Sequence, residues 1–150
     1  MRAREATEAD AELLLTWRND PRTRESSRST AVVALDEHLA WLRGVLADPE
    51  RLLLVVEHDG APVGTVRFDR RDGDGWEVSI TLAPESRGRG RSGAVLAEGE
   101  RAVREQLGVR VVLAAVHQDN AASAALFEHA GYAEAAPAVG GFRQLRKTLG

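Results

Sequence analysis

The densest run of chemistry-bearing residues is Arg87-Gly88-Arg89-Gly90-Arg91-Ser92. Glycines let a backbone come close to a ligand. A long periodic segment begins near Ala94, so the run leads into a helix start, where free N–H groups and the positive end of the dipole favour an anion. Interleaved arginines add full positive charges. A phosphate or pyrophosphate is the simplest ligand for that combination; a plain glycine-rich turn with solvated arginines is the alternative. Gly88-x-Gly90-x-x-Gly93 also matches the dinucleotide fingerprint. That fold opens with the motif and continues in strand–helix alternation. Here three antiparallel strands are predicted ahead of Gly88, which argues against a dinucleotide. No Gly-Lys-Ser/Thr follows the glycines, which excludes a P-loop.

The elements around this turn follow from periodicity. Val78, Ile80 and Leu82 alternate with Ser79 and Thr81, as in a half-buried strand over 76–82, and Pro84 ends it. Upstream, Met1–Glu5 reads as a short edge strand. Thr7 can cap a helix over 8–18 with Leu13, Leu14 and Trp17 on its apolar face. Asn19-Asp20-Pro21 breaks that helix, Pro21 can open a short second helical turn, and Arg22–Ser29 reads as a polar surface loop. Apolar residues at 35, 39, 42, 45 and 46 predict a second helix. Arg51–His58 and Pro62–Asp69 form a hairpin around Asp59-Gly60, and Asp72-Gly73-Asp74-Gly75 turns into the strand that leads to Leu82. After the glycine/arginine turn come a helix over 90–107 closed by Gly108, an apolar strand Val109–Val116, and a helix over 121–130 capped by Asn120. Tyr132–Ala136 and Phe142–Leu149 form a last pair of strands. The strand–helix–strand unit from 76 to 116 makes its two strands parallel. The expectation is one α+β domain over 1–150, with a mixed sheet of about seven strands and about four helices.

Composition narrows the partners. The chain has 150 residues, a net charge of −3 and no cysteine. Nothing in that balance points to nucleic acid or an acidic membrane, so the arginine cluster is a local feature. The absence of cysteine excludes a disulfide scaffold and a cysteine nucleophile. The start, MRAREATEAD, has no apolar signal core, and no apolar run reaches membrane-spanning length; a cytoplasmic location is expected. Lys147 is the lone lysine among twenty basic residues, a codon signature of a GC-rich bacterial genome. His38, His58, His117 and His129 show no ligand spacing with carboxylates, and no metal is expected.

Arg87-Gly88-Arg89-Gly90, after a strand ending in Leu82-Ala83-Pro84-Glu85, resembles the acyl-CoA signature Gln/Arg-x-x-Gly-x-Gly/Ala of the GNAT superfamily of N-acyltransferases. The stretch Asn120-Ala121-Ala122-Ser123 through Phe127-Glu128 to Gly131-Tyr132 is similar to that family's second signature. The order of elements matches along nearly the whole chain. Ser92 stands where the first signature ends in Gly or Ala, and Phe127 stands where many relatives carry a tyrosine that acts as the acid. A thiol pKa of about 8.5 makes CoA a tolerable leaving group without one.

The resemblance implies acetyl-CoA as co-substrate. Thr81, Leu82, Arg87, Gly88, Arg89, Gly90, Arg91, Ser92, Asn120, Ser123 and Phe127 are the residues expected to hold it. It implies Glu77 as general base, directly or through a water, with a surface strand residue as the alternative. It implies the backbone N–H near Leu82 as the group that polarises the thioester carbonyl.

The run from Leu15 to Arg24, with Glu37-His38 and Trp41, resembles acetyltransferases of nucleotide-linked amino sugars, of the pseudaminic-acid-pathway type. Arg18, Asn19, Arg28 and His38 are then candidate substrate contacts; helix capping for Asn19 and core packing for Trp17 and Trp41 stay open. A protein N-terminus or a small amine as acceptor, and a non-catalytic CoA-binding sensory domain, are the rival readings. A homodimer is a further expectation.

Overall fold

The computed structural model describes residues 1–26, 30–71 and 73–150. Among them seven strands form one sheet in the order β1-β2-β3-β4-β5-β7-β6. The strands are β1 (Arg2–Glu5), β2 (Arg51–His58), β3 (Ala61–Arg70), β4 (Gly75–Leu82), β5 (Val111–His117), β6 (Ala133–Val139) and β7 (Phe142–Thr148). The helices are α1 (Ala11–Asn19), α2 (Pro21–Ser26), α3 (Leu35–Ala47), α4 (Ser92–Leu107) and α5 (Ala121–His129). Every strand pair is antiparallel except β4 with β5. This is the expected α+β sheet with its single parallel step.

Helices cover both faces, and β2 shows why its sequence is apolar without alternation. Leu52, Leu54 and Val56 join the cluster under α4 and α5, while Leu53 and Val55 join a second cluster with Leu14, Trp17, Leu42 and Val45 from α1 and α3. A strand buried on both sides has no polar face to display. At Gly99, a Cβ would stand 2.7 Å from Val66 Cγ1. Glycine there lets α4 lie close on β3, which fixes where the α4 N-terminus points. Among the described residues no helix is long and apolar enough to cross a membrane.

Two expectations change. The segment after Pro21 is not all loop: Pro21–Ser26 is helical. Asp20 Oδ2 accepts from the N–H groups of Arg22 (3.1 Å) and Thr23 (3.4 Å), so the side chain of the helix breaker starts the next helix. In α3, Leu35 and Leu46 are exposed, and His38 is buried with Leu42 and Val45. The inward face runs 38, 42, 45, so it takes in His38 in place of Leu35 and Leu46.

Candidate active site

The parallel contact of β4 with β5 is short. It runs from Gly75↔Val111 to Glu77↔Leu113. Beyond that rung β4 stays with β3 and β5 stays with β7, so the two strands part. The gap widens into a cleft of about 360 Å³ lined by Val78, Ile80 and Thr81 on one side and Ala115, Val116 and His117 on the other. Asn120, Ser123 and Phe127 of α5 line its far end.

The ladder determines which backbone groups face the cleft. The Ala83 N–H donates to the Val63 carbonyl at 2.9 Å. Bonded and non-bonded pairs alternate along an antiparallel ladder. Odd-numbered residues of β4 therefore bond to β3, and the N–H and C=O of Val78, Ile80 and Leu82 turn toward the gap. Side chains divide the other way. Val78, Ile80 and Leu82 pack on the α4 side, leaving Glu77, Ser79 and Thr81 on the face covered by α1 and α3.

The glycine/arginine run sits at the mouth. Gly88 and Gly90 take φ of +72° and +68°, and a Cβ at either would meet open space. That left-handed backbone favours glycine. α4 begins at Ser92 without a side-chain cap on its first N–H groups. Open space, glycine backbone and an uncapped helix start suit a pyrophosphate, and the splayed strands suit an extended pantetheine arm. Arg89 is exposed and Arg91 half-buried. Arg87 turns away from them: its guanidinium donates to Asp20 Oδ2 (2.7 Å) and Thr23 Oγ1 (2.6 Å). That guanidinium holds the Asp20 carboxyl below the usual aspartate range. Asn120 Oδ1 accepts from the Ser123 N–H at 3.0 Å and caps α5.

Glu77 marks the point where the strands part. Oε2 accepts from Arg71 Nη2 (2.5 Å) and Nε (3.0 Å), and the carboxylate raises the Arg71 pKa. A second cavity of about 400 Å³ opens on the same face. Its walls include Trp17 and Arg18 of α1, Glu37, His38 and Trp41 of α3, and Thr65 and Arg67 of β3. Ser79 and Thr81 line both spaces. Asn19 lies beside this cavity, but both ends of its amide are bonded to the backbone of Val33, at 2.8 Å each. Arg28 lies outside the described residues.

His38 is buried, and its Nε2 has no hydrogen-bond partner among the described residues. Burial first, and the nearby Arg18 charge second, push its pKa down. Arg67 was not among the residues singled out from sequence. Its signal was the alternation of Thr65, Arg67 and Asp69 with Val66 and Phe68, a polar face on a strand that is covered on both sides.

A family model described as an acetyltransferase (GNAT) domain matches residues 1–133. The chain belongs to that family. Among curated proteins none matches significantly. Solved structures share its fold. It is similar to a ribosomal-protein-alanine N-acetyltransferase from Brucella melitensis, with 29% identity, 99% and 100% of the two chains covered, and a TM-score of 0.79. It shares its fold with the spermidine N-acetyltransferase of Vibrio cholerae in complex with CoA and spermine, with 16% identity, 97% and 94% coverage, and a TM-score of 0.85. An aminoglycoside acetyltransferase bound to coenzyme A, with 16% identity, 98% and 94% coverage and a TM-score of 0.83, has the same fold. This GNAT protein is an acyl-CoA-dependent acetyltransferase. The pseudaminic-acid-type subfamily is not among these matches.

Proposed function

We propose that the chain moves an acetyl group from acetyl-CoA to the primary amine of a nucleotide-linked amino sugar by direct attack. The observation that carries a two-substrate transfer is the meeting of two cavities at Ser79 and Thr81, one beside the glycine turn and one between α1, α3 and the sheet. Bound acetyl-CoA supplies the activated thioester. In this reading the backbone of Gly88 through Ser92, with Arg89 and Arg91, holds the pyrophosphate, and Arg87 braces that loop from behind. Asn120, Ser123 and Phe127 flank the pantetheine side. The Leu82 N–H, turned toward the gap, polarises the carbonyl and stabilises the oxyanion. Glu77, on the same face as Ser79 and Thr81, takes the amine proton directly or through a water. The C–N bond forms, the C–S bond breaks, and the electron pair leaves on sulfur.

The amino-sugar acceptor rests on the resemblance of the Trp17-Arg18-Asn19 run and on Arg18, His38 and Trp41 lining one cavity. A protein N-terminus is the second reading, favoured by the relative of 29% identity named for ribosomal-protein alanine. Thiol release from acetyl-CoA, measured over nucleotide amino sugars, alanyl peptides and polyamines, tests both. Fastest release with an alanyl peptide replaces the first reading by the second. Acetyl-CoA binding with no release on any amine sinks both.

A further inference from the structure

We infer that the cavity between α1, α3 and β3 binds an anionic group of the acceptor, so that the substrates are amines carrying a carboxylate or phosphate and not polycations. The inference rests on the acetyltransferase reading and specifies its substrate class. Two guanidiniums, Arg18 and Arg67, line the cavity, and the one carboxylate among its described lining residues, Glu37, is exposed. Water screens an exposed carboxylate more than it screens a half-buried guanidinium. Asp69, behind Arg67, does not cancel this balance: it is buried and shared, accepting from Arg67 Nε at 3.1 Å and from Arg51 Nε at 2.9 Å. The charged groups among the cavity's described lining residues are thus Arg18 from α1, Arg67 from β3 and Glu37 from α3, besides His38 itself. The Arg18 charge already acts on His38, since it helps keep that ring neutral.

The second observation is the orphaned Nε2. A buried polar atom without a partner costs free energy unless a ligand or water meets it. His38 is 4% exposed and lines the cavity, while Nε2 itself is covered, so a ligand in the cavity meets it once the ring turns outward. An oxygen anion between two guanidiniums accepts a hydrogen bond from a neutral Nε2–H. Trp41 completes the wall. Its ring packs 5.5 Å from His38 and lies under the Arg67 guanidinium at 5.4 Å, so cation and aromatic face form one surface. A polyamine brings only positive charge to this wall, and like charges placed together are destabilising.

Two measurements on the full chain test this. In the first, the His38 ring is titrated by NMR in inorganic phosphate, in acetate, and in sodium chloride of equal ionic strength. An anion beside Arg18 and Arg67 raises the His38 pKa, and Arg67→Met or Arg18→Met removes the rise. No rise in either anion overturns the inference, whether or not an acceptor has been found. In the second, thiol release is compared within matched pairs: alanyl-alanine against its C-terminal amide for carboxylate, and glucosamine 1-phosphate against glucosamine for phosphate. Spermine serves as the polycation. The expected result is about a tenfold or larger advantage for the anionic member of one pair, the worth of a charge-assisted hydrogen bond, and the faster pair identifies which anion is read. No anionic advantage in either pair, or a rate with spermine that equals or exceeds both anionic members, overturns the inference. If acetyl-CoA fails to bind by calorimetry while anions still move His38, the transfer reading falls and the anion site stands.

Discussion

The Tyr132 hydroxyl donates a 2.7 Å hydrogen bond to Oε2 of Glu100, and Lys147 Nζ donates to Oε1 of the same carboxylate at 2.7 Å. Tyr132 is buried, edge-on to Phe127 at 5.0 Å. Burial first, then the Glu100 charge, push its pKa far up. The chain's only tyrosine is therefore a neutral link between α4 and the approach to β6, and no acid for a leaving thiolate. Tyr132→Phe should cost stability, by about 1.5–3 kcal/mol for a bond to a charged acceptor, and leave the rate of thiol release per folded molecule and its pH profile unchanged. Urea unfolding and a rate–pH series check this. A lost alkaline limb would return Tyr132 to the chemistry.

Why some of this could be read from residues alone, and some not, comes down to range. The alternation of Val78, Ile80 and Leu82 with Ser79 and Thr81, the continuous run Leu52–Val56 and the glycines at 88 and 90 are local signals. Each places its element within a few positions, and together they assemble the sheet with its parallel step. The partners across the fold carry no local signal. Nothing near Arg87 announces that its guanidinium meets Asp20 and Thr23, more than sixty positions away. His38 is a candidate substrate contact by resemblance alone, since the apolar pattern of its helix runs through Leu35 and Leu46 and gives no sign that the imidazole is buried. Only the packing of α3 against α1 turns that face by a fraction of a turn and buries the imidazole.

Glu77 sits at the last rung of the β4–β5 contact with its carboxylate bound to Arg71. The paired guanidinium holds the carboxylate in place where the two strands part. Glu77→Gln keeps shape and one acceptor oxygen while removing the charge. It should lower turnover about a hundredfold or more, as expected for loss of a general base, with acetyl-CoA affinity by calorimetry little changed. Unchanged turnover would remove Glu77 from the mechanism and leave it as the anchor of Arg71.

The glycine turn separates strain from ligand contact. At Gly90, φ is +68° and a Cβ meets open space. Gly90→Ala thus adds no clash within the protein, and its cost is the left-handed backbone, about 1–2 kcal/mol. Gly90→Glu adds a carboxylate where the pyrophosphate is proposed to lie and should abolish acetyl-CoA binding while the far-UV circular dichroism stays native. Gly99→Ala provides the contrast, since its Cβ would stand 2.7 Å from Val66. It should lose stability through displaced packing. Retained acetyl-CoA affinity in Gly90→Glu would detach this turn from the cofactor.

Arg87 joins the turn to the start of α2, and its partner Asp20 also accepts from the N–H groups of Arg22 and Thr23. Two roles for Arg87, pyrophosphate ligand and brace, make opposite predictions for Asp20→Asn. As a brace, Asp20→Asn and Arg87→Gln should each lower the melting temperature, and the double variant should add little to either single change, because both break one contact. Asp20→Asn should leave acetyl-CoA affinity within about twofold, since the phosphate would be held by backbone N–H groups. The pH dependence has a definite sign. The Asp20 pKa is lowered in the fold from its ordinary 3.8, so the unfolded chain binds the proton first as pH falls. The contribution is complete well above 3.8 and is lost as pH drops through the lower folded value. Melting curves of the wild type and Asp20→Asn should therefore differ at neutral pH and converge in acid. A gap that persists unchanged at about pH 2 would mean that the carboxylate's charge is not what holds Arg87, and a large loss of acetyl-CoA affinity in Arg87→Gln alone would make that guanidinium a phosphate ligand.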